Sequence, residues 1–393
     1  MRVGTEMMRT PILVLAFLAA LAPRLDADEP PGPSRPRLEA HVRTLASPAF
    51  AGRRDEGAAK ARVYLIDEFR KLDLAPLFGD SFTQDVTGKG PGDVLGVNIG
   101  ARIVGSDPAL ADRWIILGVH YDHLGSIGKV VYPGADDNAT GVAMMLEVAR
   151  AIAASPTRPR RSIAFVGFDL EERGPNGELG LRGSQFFARH PPVPLERVAL
   201  FVTADMIGRA LGGVCEQMVF VLGSEHEPEV RPWIARGAEG RPIAVGLLGS
   251  DMLVIDRSDY GPFRSRKIPY LFFTTGENPL YHTPLDVAET IDYPKFEAIS
   301  RTIHAVVRQA LDGPVEPAWS ARPDYPVAEA LAVRSVLKTL LANRGALKVG
   351  DFQANVMTQT IRLVDDIEGR GAMTPAERAR IARTAQLILF TVF

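Results

Sequence analysis

Eight residues able to hold divalent cations or move protons gather after apolar runs and in one Gly-rich turn of this 393-residue chain. His120 and Asp122 follow the apolar run Arg113–Val119 (RWIILGV). Glu171 and Glu172 come three residues after a second run, Ser162–Phe168 (SIAFVGF). Asp205 follows a third, Val198–Thr203 (VALFVT), and His282 lies in the loop after a fourth, Ile268–Thr274 (IPYLFFT). Asp136 and Asp137 sit in a Gly-rich turn just before a helical pattern. Two histidines with several carboxylates suit zinc, or manganese or cobalt, and no thiolate is at hand for a closed cysteine site. The donors exceed what one tetrahedral ion needs. Two ions about 3.5–4 Å apart could share a bridging carboxylate, each taking one histidine and one further carboxylate. One carboxylate would then remain as a general base. This arithmetic does not assign residues to ions.

Residues so scattered must be brought together by the elements that end beside them. The four apolar runs read as strands covered on both faces, and helical patterns at Gly57–Leu72, Ala139–Ala154, Ser184–Arg189 and Lys295–Leu311 alternate with them. That alternation predicts an α/β fold, a mostly parallel mixed central sheet flanked by helices. In such sheets ligands bind where the strands' carboxyl ends meet. Beyond Pro314, helical patterns at Val327–Asn343, Phe352–Glu368 and Pro375–Val392 predict a C-terminal helical appendage without a chemistry-bearing cluster. Thr374, Pro375 and Glu377 give the last a clear start.

Composition narrows the function. Lys plus Arg (45) nearly balances Asp plus Glu (47), so there is no basic excess to bind nucleic acid. Cys215 is the only cysteine, so no intramolecular disulfide forms. Arg2 and Arg9 precede the apolar run Pro11–Ala22, which at about 18 Å of helix is too short to span a bilayer. Residues 1–27 are therefore expected to be a signal peptide of a periplasmic or extracellular protein, with no stable membrane association after its removal. Residues 28–39, rich in proline, read as a linker, residues 40–312 as the domain with the chemistry, and residues 313–393 as the helical extension.

The motifs His120-Tyr121-Asp122-His123-Leu124-Gly125, Gly134-Ala135-Asp136-Asp137-Asn138-Ala139-Thr140-Gly141 and Phe168-Asp169-Leu170-Glu171-Glu172 resemble metallopeptidase family 28. That family includes secreted bacterial zinc aminopeptidases and glutamate carboxypeptidases. Thr203-Ala204-Asp205-Met206-Ile207-Gly208 and Tyr281-His282-Thr283-Pro284-Leu285-Asp286 continue the likeness in the family's order, as do Leu45-Ala46-Ser47 and Gly52-Arg53 before them. The resemblance spans about residues 40–312. It implies that Asp136 bridges two zinc ions, with His120 and Asp205 completing one and Glu172 and His282 the other. It also implies Glu171 as general base, Asp122 orienting His120, a cis bond between Asp136 and Asp137, and a peptide substrate.

Two departures stand out. Gly174–Leu179 (GPNGEL) intervenes between the glutamate pair and Gly180-Leu181-Arg182-Gly183-Ser184, and Ser258-Asp259-Tyr260 stands where many relatives have Ser-Asp-His. Tyr260 is a candidate contact for the developing oxyanion or the substrate. Asp286 reads as a loop-capping residue, and His41, His123, His190, His226 and His304 as structural or surface residues. The leading expectation is an exported di-zinc aminopeptidase. The alternatives are a single-zinc glutaminyl cyclase, a carboxypeptidase and a non-catalytic, receptor-like relative.

Overall fold

The computed structural model describes residues 32–90, 92–174 and 177–393, so the expected signal peptide lies outside the described residues. The strands in chain order are β1 (Ala75–Pro76), β2 (Thr83–Thr87), β3 (Val94–Ile103), β4 (Trp114–His120), β5 (Gly125–Ile127), β6 (Val130–Tyr132), β7 (Ser162–Phe168), β8 (Val198–Ala204), β9 (Met218–Leu222), β10 (Ala244–Leu248) and β11 (Tyr270–Thr274). The helices are α1 (Arg35–Leu45), α2 (Glu56–Lys71), α3 (Gly141–Ala153), α4 (Arg182–Arg189), α5 (Arg231–Ala238), α6 (Gly261–Arg264), α7 (Tyr293–Asp312), α8 (Val327–Ala342), α9 (Asp351–Arg370) and α10 (Pro375–Thr391).

Nine strands form one sheet in the order β1-β3-β7-β4-β8-β11-β9-β10, with β2 also paired to β3; β5 and β6 make a separate hairpin. The centre is parallel: β7 with β4, β4 with β8, and β8 with β11. Antiparallel β3 and β9 flank it. Every residue of β4, β7, β8 and β11 is buried, which is why these strands read as unbroken apolar runs. Because the four run the same way, their carboxyl ends deliver His120, Glu171 and Glu172, Asp205 and His282 to one edge. The mixed, helix-flanked sheet expected from the sequence is present.

The linker expected at 28–39 is not irregular throughout. Helix α1 begins at Arg35 and buries Leu38, Val42 and Leu45 completely. Pro36 is tolerated in its first turn, where a missing N–H costs nothing. At its amino end, Glu147 on α3 accepts from Ser34 N at 3.3 Å.

The C-terminal helices pack over β9 and β10. Leu337, Leu340, Met357, Val364, Ile381 and Ile388 share a core with Phe220, Leu222 and Met252. The capping box is formed, Thr374 N donating to Glu377 Oε2 at 2.9 Å. Arg378 anchors the region: Nε and Nη2 donate to Glu329 at 3.0 and 2.9 Å, and the guanidinium also pairs with Asp251 and lies 3.8 Å from the Tyr325 ring. Glu329 Oε1 accepts from Gly249 N at 2.7 Å, tying α8 to the segment after β10. Arg378→Ala would leave the buried Glu329 without its cationic partner and should cost about 3–5 kcal/mol of stability. Urea unfolding checks this; a loss below 1 kcal/mol would show that the network is not holding the tail. Among the described residues, no helix is long and apolar enough to cross a membrane.

Candidate metal centre

His120 ends β4 with its ring fully buried, and its two nitrogens face different partners. Nε2 lies 3.4 Å from Asp205 Oδ1 and 3.4 Å from Asp137 Oδ1. Nδ1 lies 3.3 Å from the Asp122 carbonyl oxygen and 3.7 Å from its Oδ1. Asp122 also accepts from the backbone N–H groups of Glu171, at 3.1 Å, and Glu172, at 3.3 Å. One buried carboxylate thus ties the end of β4 to the loop after β7, a tie consistent with the orienting task expected of it.

A second cluster adjoins the first. His282 Nε2 is 3.1 Å from both Asp137 Oδ2 and Glu172 Oε1. His123 Nδ1 is 2.9 Å from Glu172 Oε1 and 3.7 Å from Asp137 Oδ2. One donor atom each from His123, Asp137, Glu172 and His282 falls within 4.8 Å of the others, and the same holds for His120, Asp137 and Asp205. Asp137 belongs to both, one oxygen to each.

The carboxylate expected at the centre is Asp136, whereas both donor clusters contain its neighbour Asp137 and neither contains Asp136. Asp136 is already supplied with donors: Oδ1 accepts from Gly208 N at 2.7 Å, and Oδ2 accepts from Asn278 Nδ2 at 3.3 Å and faces Arg209 at 3.7 Å. Gly134, at φ +61°, starts the turn that sends Asp137 into the gap between the strand ends. The cis peptide bond in the turn joins Asp137 and Asn138, not Asp136 and Asp137.

Tyr260 is also placed differently. Its ring is fully buried, stacked on Tyr270 and Phe272, and its hydroxyl accepts from Arg257 N at 3.3 Å. The ring thus belongs to the sheet's aromatic core, and neither donor cluster contains Tyr260. Its neighbour Asp259 is the one that senses the site: fully buried, its carboxyl is pushed up to about 7 by burial, with His120 opposing. Glu178, in the inserted loop, lines a cleft with Arg54, Arg62 and Arg182 that Asp122 and Arg53 also line.

Three residues at the site went unrecognised as such in the sequence. Arg53 is completely buried, and its guanidinium donates to the carbonyls of Tyr121 (2.8 Å), Leu45 (3.1 Å), Pro133 (2.6 Å), Gly134 (2.7 Å) and Asp137 (3.1 Å). It clamps the two metal-facing stretches together. Asp286 does more than cap its own loop: Oδ1 accepts from Asp136 N at 2.8 Å and from Arg209 Nη1 at 2.7 Å, and Oδ2 from Asp137 N at 3.2 Å. It therefore joins the His282 loop to the Asp137 turn. Asp286→Ala is expected to weaken metal binding by about 10–100-fold, as loss of an outer-shell carboxylate does; calorimetric titration of the metal-free protein would show it, and unchanged affinity would confine Asp286 to its loop. His123 is the third. The HxDH spacing could have flagged it, but side-chain alternation along an extended run sets 123 opposite 120, and the strand stops at His120.

The charge balance calls for cations. Burial pushes Asp137 up to about 6, with Glu172 adding to it, and pushes Glu171 well above the carboxylate range, with Glu172, Asp205 and Asp259 adding. Burial would lower His282, but hydrogen bonds to Asp137 and Glu172 raise it to about 10. His120 Nε2 and Asp205 Oδ1 are buried with no hydrogen-bond partner, a costly arrangement unless something electrophilic stands between them. Donors 2.0–2.2 Å from a tetrahedral zinc are themselves roughly 3.3 Å apart, and the separations of 2.9–3.7 Å bracket that value.

The chain is similar to known proteins. Aminopeptidase YwaD of Bacillus subtilis (strain 168) is 29% identical over 189 residues, 46% of this chain and 38% of its own length. The chain spans between 22% and 52% of the next five curated relatives. Among solved structures, a Zn-dependent exopeptidase from Parabacteroides distasonis ATCC 8503 has a TM-score of 0.55 at 21% identity, covering 71% of this chain and 99% of that one. Porphyromonas gingivalis glutaminyl cyclase has the same TM-score at 20% identity, covering 70% and 98%. These two likenesses speak for the fold. The sequence profile of peptidase family M28 matches residues 98–307, more than half of the chain and all of the strands that end at the two clusters. The chain belongs to peptidase family M28.

Proposed function

We propose that this chain is a di-zinc metallo-exopeptidase, an aminopeptidase that removes N-terminal residues from peptides, and that it acts outside the cytoplasm. The observation that carries the reading is Asp137, whose two carboxylate oxygens face separate donor clusters, His120 with Asp205 on one side and Glu172 with His282 on the other. Divalent ions held there would supply a water of lowered pKa and a polarised scissile carbonyl.

The protein's own groups do the rest. Glu171 lies outside both clusters, and its backbone N–H is fixed by Asp122. It takes a proton from the attacking water and returns it to the leaving amine nitrogen. Asp122 holds the His120 ring and the Glu171–Glu172 backbone in one arrangement. The surplus of carboxylates favours a cationic substrate terminus, the free α-amine, over a terminal carboxylate. Export rests on the leading segment, with its two arginines and short apolar run.

Paired peptides test the substrate class, one with a free N-terminus and one acetylated, followed by mass spectrometry with and without chelator. Stepwise N-terminal loss from the free peptide alone, abolished by chelator, is the expected result. Cleavage of both alike, or from the other end, would overturn the aminopeptidase reading, and cyclisation of an N-terminal glutamine instead would replace it.

A further inference from the structure

The two clusters are not equivalent. The one around His120 offers three residues, and the one around His282 offers four, because His123 joins it. We propose that His123 is a protein ligand, through Nδ1, of the ion held by Asp137, Glu172 and His282. That position would then be closed by four protein donors, while the His120–Asp137–Asp205 position keeps a coordination site for water and substrate. The inference rests on the metal-centre reading above and deepens it.

The ring is built into the site. His123 is completely buried, its backbone N–H donates to Arg53 O at 3.3 Å, and its ring meets His282 edge-on with centroids 5.6 Å apart. Gly134 leaves room for it: a Cβ there would lie 2.5 Å from His123 Cδ2, and φ is +61° besides. Nδ1 is 2.9 Å from Glu172 Oε1 and 3.7 Å from Asp137 Oδ2, while His282 Nε2 is 3.1 Å from both. Four donors so spaced match one tetrahedral ion. Four protein ligands characterise retained, closed metal positions, and three with one open position characterise catalytic ones. The division of labour follows: the closed ion anchors Asp137 and Glu172, and the reacting carbonyl is received on the His120–Asp205 side.

The rival role is a ring N–H of His123 donating to Glu172 and merely positioning it. X-ray absorption at the zinc edge separates the two on the unmodified, fully loaded protein. Ligation gives three imidazoles shared by two ions; positioning gives two. Should the protein take up a single ion, the two-metal reading falls, yet two imidazoles on that ion would still support His123 ligation and one would overturn it. His123→Asn supplies the second measurement, since the amide can replace the N–H donor but not the imidazole ligand. Zinc titration of the metal-free variant should show one position weakened by more than about 100-fold, beyond the 10–100-fold typical of a lost outer hydrogen bond. The other position should stay within about threefold. A variant that keeps both affinities would overturn the proposal.

Discussion

Glu171→Gln is expected to lower kcat by about 10²–10⁴-fold, the range for removing a general acid–base group, while both metals stay bound. The amide has the same shape and retains the backbone hydrogen bond from Glu171 N to Asp122 Oδ1, so the loop after β7 should not move. Glu171 contributes no atom to either donor cluster, so metal content has no reason to fall. What the amide cannot do is accept a proton. Metal analysis beside steady-state kinetics checks both halves: turnover within tenfold of the unmodified enzyme would remove Glu171 from proton transfer, and loss of metal would make it a ligand instead.

Asp137→Ala should have the larger effect on metal, with neither ion retained through dialysis and activity at background. Both clusters use this carboxylate, so its removal takes one donor from each and leaves His120, Asp205, Glu172 and His282 without the group between them. Asp136→Asn is the matched comparison. An amide there can still accept from Gly208 N, and neither cluster contains the residue, so both ions should remain. If Asp136→Asn loses its metals and Asp137→Ala keeps them, the bridging assignment is reversed.

This pair of aspartates also marks how far the sequence could be read. Strand-end positions of His120, Glu172, Asp205 and His282 were legible because four wholly buried parallel strands leave an unmistakable apolar pattern, and everything that follows them lands at one edge. Which of two adjacent aspartates faces that edge was not legible, because it depends on the left-handed turn at Gly134 and on donors from Gly208 and Asn278, far away in sequence. Arg53 was hidden for the same reason: its partners are all backbone carbonyls, which no side-chain motif reveals. Strands β3, β9 and β10 escaped recognition too. β3 is only partly buried, and its two glycines interrupt the pattern, while β9 and β10 are five-residue strands without flanking chemistry. The C-terminal helices, by contrast, were nearly complete from Thr374-Pro375-Glu377 and their apolar spacing. Where their apolar faces would dock could not be read, since β9 and β10 were themselves unseen.

The central claim is a pair of ions sharing Asp137. Crystals of the zinc-loaded protein, measured for anomalous scattering on both sides of the zinc absorption edge, test it most directly. Two peaks about 3.5–4 Å apart, one on each side of the Asp137 carboxylate, are the predicted result. A single peak, or two peaks that leave Asp137 unligated, would contradict the account.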